Sequence, residues 1–125
     1  MSGKIILAVD DDPTTLKLLN ARFREDGHDI RTAETAGDAI RQAKECPPDI
    51  VIMDLLLPDM PGEEAVVELL QMFPSREMTI IFLSGILLAE DGEGVESQQV
   101  RVKDEFYPAV GKPVNFERLM SVLNI

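Results

Sequence analysis

The sequence predicts an α/β fold, a parallel sheet of five strands with helices on both faces. Three observations predict it. Strand-like and helix-like stretches alternate along the chain. The strand-like runs, such as Ile80-Ile81-Phe82-Leu83, are continuously apolar, as a sheet buried on both sides requires. Three runs also stop abruptly at charged residues: 4–9 at Asp10-Asp11-Asp12, 50–53 at Asp54, and 106–111 at Lys112-Pro113. Parallel strands deliver their C-terminal ends to one edge, where open α/β sheets place their ligands.

Each element has a local cause. After the first strand, Asp12 is suited to cap a helix that starts at Pro13, and Leu16, Leu19 and Phe23 recur at helical spacing up to Gly27. Residues 28–33 read as a second strand. Thr35 and Asp38 resemble a capping box before a helix whose buried face is Ala36, Ala39, Ile40 and Ala43. Pro47-Pro48 ends that helix before the third strand. Pro58, Pro61 and Gly62 make residues 55–62 a loop. The helix after it has Val66, Leu69, Leu70 and Phe73 on one face and stops at Pro74. Residues 78–83 form the fourth strand. Val95, Val102 and Phe106 keep a helical rhythm, which predicts a short and weakly stabilised helix near 95–104. Pro108 within the last strand is expected to place that strand at the sheet edge. A final helix is capped by Asn115, with Phe116, Leu119, Val122 and Leu123 facing inward.

Composition excludes several functions. The 125 residues suffice for one domain with a core, and no repeat or linker divides them. With 23 acidic residues against 12 basic, the net charge of −11 repels nucleic-acid phosphates and anionic lipid, so direct nucleic-acid binding is not expected. The single cysteine, Cys46, cannot form an internal disulfide and reads as an inert thiol. No leader opens the chain and no apolar run approaches the roughly 18 residues of a membrane span, so a cytoplasmic location without membrane contact is expected.

The strand-end residues carry the chemistry. Carboxylates at Asp10, Asp11 and Asp54, held about 5 Å apart, would repel by roughly 3 kcal/mol per pair at an effective dielectric near 20. Such a cluster raises its pKa values, meets a cation, or does both. Oxygen-only ligands favour a hard ion, and Mg²⁺ is the usual one where phosphates are handled. Asp54 can then act as a nucleophile toward a phosphoryl group, with Lys112 offering a charge and Ser84 a hydroxyl from neighbouring strand ends. Singly, each residue has a plainer reading. Asp12 is a helix cap, Asp10-Asp11 a polar turn, Lys112 a solvated strand end, Ser84 a turn residue, and His28 a structural side chain remote from this edge. Convergence is what favours the chemical reading.

Asp10-Asp11, Asp54, Pro58, Gly62, Ser84 and Lys112-Pro113, in this order and each at or just after a strand end, resemble the receiver domain of two-component response regulators, the CheY-like family. The resemblance covers the whole chain as one receiver, residues 1–125. It implies a doubly wound, flavodoxin-like sheet in the order 2-1-3-4-5 with five helices. It implies a phosphoacceptor at Asp54, Mg²⁺ held by Asp11, Asp54 and the backbone carbonyl of Leu56, and Asp10 reaching the ion through water. A cis peptide between Lys112 and Pro113 is also implied. The implied partners are a sensor histidine kinase or phosphotransfer protein as donor and a downstream effector protein, with a homodimer through the helix 4–strand 5–helix 5 face as a further option. The chain is then a switch and no enzyme beyond its own phosphorylation and dephosphorylation. No output domain follows Ile125, so it either acts alone through protein contacts or belongs to a longer regulator.

The chain departs from the family pattern in three places. Ala109 stands where receivers carry an aromatic switch residue, with Tyr107 on the same face one pleat earlier. The stretch between Ser84 and Lys112 is longer than usual, the surplus being the acidic, glycine-bearing 88–94, which reads either as a specialised partner surface or as a tolerated insertion. Leu56 and Ile86 occupy the positions that tune hydrolysis, and neither can orient a water, so a long-lived phosphoryl group is expected.

Three other readings compete. A phosphohydrolase of the haloacid-dehalogenase type needs an acid where Leu56 stands. A nucleotide or flavin binder needs a phosphate loop where Asp10-Asp11-Asp12 would repel it. A pseudo-receiver that only binds partners would not need the intact Asp11, Asp54 and Lys112.

Overall fold

The apolar runs form the centre of a six-stranded sheet in a computed structural model that describes residues 3–85 and 99–125. The elements are β1 (Ile5–Val9), α1 (Pro13–Glu25), β2 (Asp29–Ala33), α2 (Ala36–Glu45), β3 (Ile50–Asp54), α3 (Gly62–Met72), β4 (Thr79–Ser84), β5 (Gln99–Val102), β6 (Glu105–Gly111) and α4 (Phe116–Leu123). The sheet order is β2-β1-β3-β4-β6-β5. Neighbours from β2 through β6 are parallel, and β5 adds to the end as an antiparallel strand.

Both faces are covered, as the unbroken apolar strands require. On one face Ala36, Ala39 and Ala43 of α2 and Ala65, Val66 and Leu69 of α3 pack on Leu7, Val9, Val51, Met53, Ile80 and Phe82. On the other, Leu16, Leu19 and Phe23 of α1 and Leu119 and Leu123 of α4 pack on Ile6, Ala8, Ile52, Ile81 and Val110. Every residue of β3 is buried. The buried face of α2 is built of alanines, while that of α1 carries the fully buried Phe23.

The helix starts follow their caps. Asp12 accepts the Thr14 N–H at 3.0 Å ahead of Pro13, and Thr35 Oγ1 accepts the Asp38 N–H at 3.1 Å. The box at α2 is half formed, because the Asp38 carboxylate turns to Arg41 and Gln42 instead of back to Thr35. Asn115 caps α4 through the Arg118 N–H at 3.1 Å.

Four expectations need correction. The helix near 95–104 is absent over its described part: residues 99–111 form a β-hairpin in which Val102 faces Glu105 across Lys103-Asp104. The alternation Gln99-Val100-Arg101-Val102, exposed-buried-exposed-buried, is a strand period that prevails over the spacing of Val95, Val102 and Phe106. The sheet therefore has six strands where five were expected, and four helices lie among the described residues where five were expected. The strand that carries Pro108 is internal, lying between β4 and β5. Pro108 is tolerated because it sits opposite Gln99, the first residue of β5, and just before the β4-paired stretch that begins at Ala109. Val122 is 37% exposed, since α4 turns only Leu119 and Leu123 fully inward. The expectations for Ile86, for the 88–94 surplus and for Val95 fall outside the described residues. No helix among the described residues is long and apolar enough to cross a membrane.

Candidate functional site

Parallel pairing brings the strand ends together. The register sets Val9 beside Met53 in the β1–β3 pair, Asp54 beside Leu83 in the β3–β4 pair, and Ser84 beside Gly111 in the β4–β6 pair. Asp10, Asp54, Ser84 and Lys112 therefore leave the sheet at one edge. Asp10 is fully buried; its N–H donates to the Ala33 carbonyl at 3.0 Å, and its Oδ1 accepts the Asp12 N–H at 2.9 Å. Asp11, the next residue, is exposed. Carboxylate oxygens of Asp10, Asp11 and Asp54 lie within 4.8 Å of one another. The Lys112 ammonium is 2.7 Å from Asp10 Oδ2 and 3.6 Å from Asp54 Oδ2. Backbone pairing steadies Lys112, whose N–H donates to the Ser84 carbonyl at 3.1 Å, and its peptide bond to Pro113 is cis. Ser84 is buried at the end of β4.

The loop from Asp54 to α3 closes on itself. Leu56 and Pro61 form an isolated bridge, and the Gly62 N–H donates to the Leu55 carbonyl at 2.8 Å. Gly62 passes so close to β3 that a Cβ there would stand 2.1 Å from the Asp54 carbonyl oxygen, so only glycine fits without a backbone shift. The Leu56 N–H donates to the Asp54 carboxylate, while the Leu56 side chain points into solvent.

Electrostatically the cluster is under-compensated. Burial, followed by the Asp10 charge, pushes the Asp54 carboxyl up to about 6, against the partial relief from Lys112 and Leu56 N–H. Burial opposes the Lys112 charge as well, but contact with Asp10 and the field of Asp10 and Asp54 outweigh it and hold the ammonium above its ordinary range. Asp12 is held below the usual carboxylate range mainly by the Thr15 hydroxyl and the Thr14 N–H, as a cap should be, with a smaller contribution from the Lys112 charge.

A hard divalent cation fits these residues. Three acids face one lysine, and Asp10 Oδ2, though buried and close to the ammonium, receives no well-directed hydrogen bond. An oxygen-only donor set with an exposed member, Asp11, on its solvent side offers both the ligands and the access that such an ion requires.

Comparison with known proteins decides the family. Residues 6–124 match the response regulator receiver domain. The chain belongs to that family. This receiver is 31% identical to Protein PilH of Pseudomonas aeruginosa over 119 residues, covering 95% of the chain and 93% of PilH. It is 30% identical to the signal transduction histidine-protein kinase BarA of Escherichia coli K12 over 118 residues, 94% of the chain but only 12% of BarA. Among solved structures, a CheY-like receiver from Methanospirillum hungatei superposes with a TM-score of 0.76 at 26% identity, over 98% of this chain and 92% of that one. The receiver thus belongs to two-component signalling, whose receiver domains generally bind Mg²⁺ at an acidic pocket and interact with histidine kinases and effector domains.

Two contacts near the site had no sequence signal. Asp59, in the loop after β3, bonds to the start of α2, and its type and spacing mark it only as a turn residue. Tyr107 packs edge-on against Phe82, two residues before Ser84, with ring centroids 6.4 Å apart.

Proposed function

We propose that this receiver accepts a phosphoryl group on Asp54 from a phosphohistidine of a sensor kinase or phosphotransfer protein, in a Mg²⁺-dependent reaction, and thereby switches a surface bound by a downstream effector. The observation that carries the reading is the convergence of Asp10, Asp11 and Asp54 within 4.8 Å, with Lys112 2.7 Å from Asp10. Asp11, Asp54 and the Leu56 carbonyl would hold the ion, and Asp10 would reach it through water. When bound, Mg²⁺ supplies positive charge that offsets the carboxylates and the incoming phosphoryl oxygens.

The rest of the chemistry belongs to the chain. With a pKa of about 6, Asp54 is largely ionised at pH 7 and presents a nucleophilic oxygen. That oxygen forms the new P–O bond as the P–N bond to the donor imidazole breaks, the electron pair leaving with the imidazole nitrogen. Lys112 meets a phosphoryl oxygen with its ammonium, and Ser84 offers its hydroxyl to another. Positioning and charge neutralisation are what phosphoryl transfer needs most. Catalysis ends at the receiver's own acceptor. Ala109 leaves no aromatic ring to swing behind Ser84, so Tyr107 stays against Phe82 when the site is loaded; an activated structure with Tyr107 turned in behind Ser84 would contradict that.

Intact-mass spectrometry after incubation with acetyl phosphate tests the reading. A Mg²⁺-dependent gain of about 80 Da, the mass of one phosphoryl group, that disappears in Asp54→Asn is the expected result. No adduct from acetyl phosphate or from a kinase would leave a partner-binding pseudo-receiver.

A further inference from the structure

Asp59 lies five residues beyond Asp54, outside the carboxylate cluster, at the tip of the loop that leads into α3. Its carboxylate accepts two backbone N–H groups at the start of a different helix: Ala36 N–H to Oδ1 at 3.0 Å and Gly37 N–H to Oδ2 at 2.9 Å. Both oxygens are engaged, and these two bonds hold the carboxyl below the ordinary range. The helix already has its own cap in Thr35, which serves the Asp38 N–H. Asp59 is therefore a second capping group at the positive end of α2, this one anionic and supplied by the loop of the candidate site.

The loop has few other fastenings. Its neck is closed by the Leu56–Pro61 bridge and the Gly62 N–H, and Leu57 and Met60 lie partly buried against the core. The Leu56 peptide lies in that neck, bridged to Pro61, three residues before Asp59. Its N–H already donates to Asp54, and its carbonyl belongs to the same stretch of backbone. Only the short segment 57–58 separates this peptide from Asp59, so the pinned tip and the peptide share one short stretch of backbone.

We infer that Asp59 is a positioning residue: by pinning the loop tip to the N-terminus of α2 it fixes the Leu56 peptide for Mg²⁺ and for the Asp54 carboxylate. The inference rests on the proposed Mg²⁺ site. Outer partners that orient ligands typically change metal affinity about 10–100-fold when lost, and Asp59 acts one step further away, so Asp59→Ala should weaken Mg²⁺ binding roughly three- to tenfold. Asp59→Asn keeps one acceptor oxygen and should fall between the two.

The test is Mg²⁺ titration by isothermal calorimetry on wild type, Asp59→Ala, Asp59→Asn and Thr35→Ala, each with its unfolding temperature measured. Thr35→Ala removes a cap from the same helix without touching the loop, so it reports what lost helix stability alone does. The expected result is weakened Mg²⁺ affinity in the order wild type, Asp59→Asn, Asp59→Ala, with Thr35→Ala binding as wild type. Equal affinity in Asp59→Ala and wild type, or an equal loss in Asp59→Ala and Thr35→Ala, overturns the positioning role while leaving the Mg²⁺ site intact. A wild type that binds no Mg²⁺ overturns the proposed site and this role together.

Discussion

Immediately before β3, Asp49 accepts the Ile5 N–H on one carboxylate oxygen at 2.9 Å and the Arg76 guanidinium on the other at 2.9 Å. Arg76 in turn donates to the carbonyls of Pro48 at 2.9 Å and Pro47 at 3.2 Å. Five residues later, at the C-terminal end of the same strand, Asp54 meets two further carboxylates and shares one lysine with Asp10. The residue type is the same and one strand joins the two, yet one charge is matched and the other is crowded. The matched aspartate ties β3 to β1 and to the chain before β4. The crowded one is buried with its pKa raised, which costs folding free energy and leaves a group that gains from a nearby cation.

Exchanging the two aspartates should separate these roles. Asp54→Asn has the largest expected effect: phosphoryl transfer is abolished, and without Mg²⁺ at pH 7 the fold becomes more stable by about 2 kcal/mol, because the crowded charge is gone. The sign follows from the pKa. Asp54 titrates near 6 when folded against an ordinary 3.8, so the native state holds this proton more tightly than the unfolded chain. Its contribution is complete below about pH 4 and is lost as pH rises through 6. Urea unfolding from pH 4 to 7 without Mg²⁺ should show this loss in wild type and lack it in Asp54→Asn.

Gly62→Ala probes the packing that supports the crowded end. The Cβ would meet the Asp54 carbonyl at 2.1 Å, so the backbone must shift, at about 1–3 kcal/mol, with a reduced phosphorylation rate as well. Asp49→Ala should cost about 1–2 kcal/mol through the lost Ile5 and Arg76 bonds and leave phosphorylation at the wild-type rate. Urea denaturation and the phosphodonor assay read both. If Asp49→Ala impaired phosphorylation as strongly as stability, the division between the two ends of β3 would fail.

The candidate site was legible in the sequence because its residues stand at strand ends, and unbroken apolar runs such as 50–53 announce both the strand and where it stops. Once the strands are parallel, Asp10, Asp54, Ser84 and Lys112 converge without further information. The hairpin was not legible in this way. Its two-residue turn is Lys103-Asp104, with Lys103 at φ 56°, and lacks the Asn-Gly or Asp-Gly pair that usually marks such a turn. The four-residue alternation of β5 was masked by longer-range spacing that also fits a helix. Asp59 was illegible for a different reason: its partners, Ala36 and Gly37, are more than twenty residues earlier, and no local pattern links a loop carboxylate to a remote helix start.

The C-terminal edge of the sheet carries negative charge, and a divalent ion should relieve it. Thermal unfolding of wild type and Asp54→Asn at pH 7 across a Mg²⁺ titration tests it most directly. Wild type should start below the variant and gain roughly 4 °C at tenfold excess over its dissociation constant, while Asp54→Asn, with one ligand neutralised, gains much less. Superimposable curves, or a wild type that starts above the variant and ignores Mg²⁺, would contradict the account.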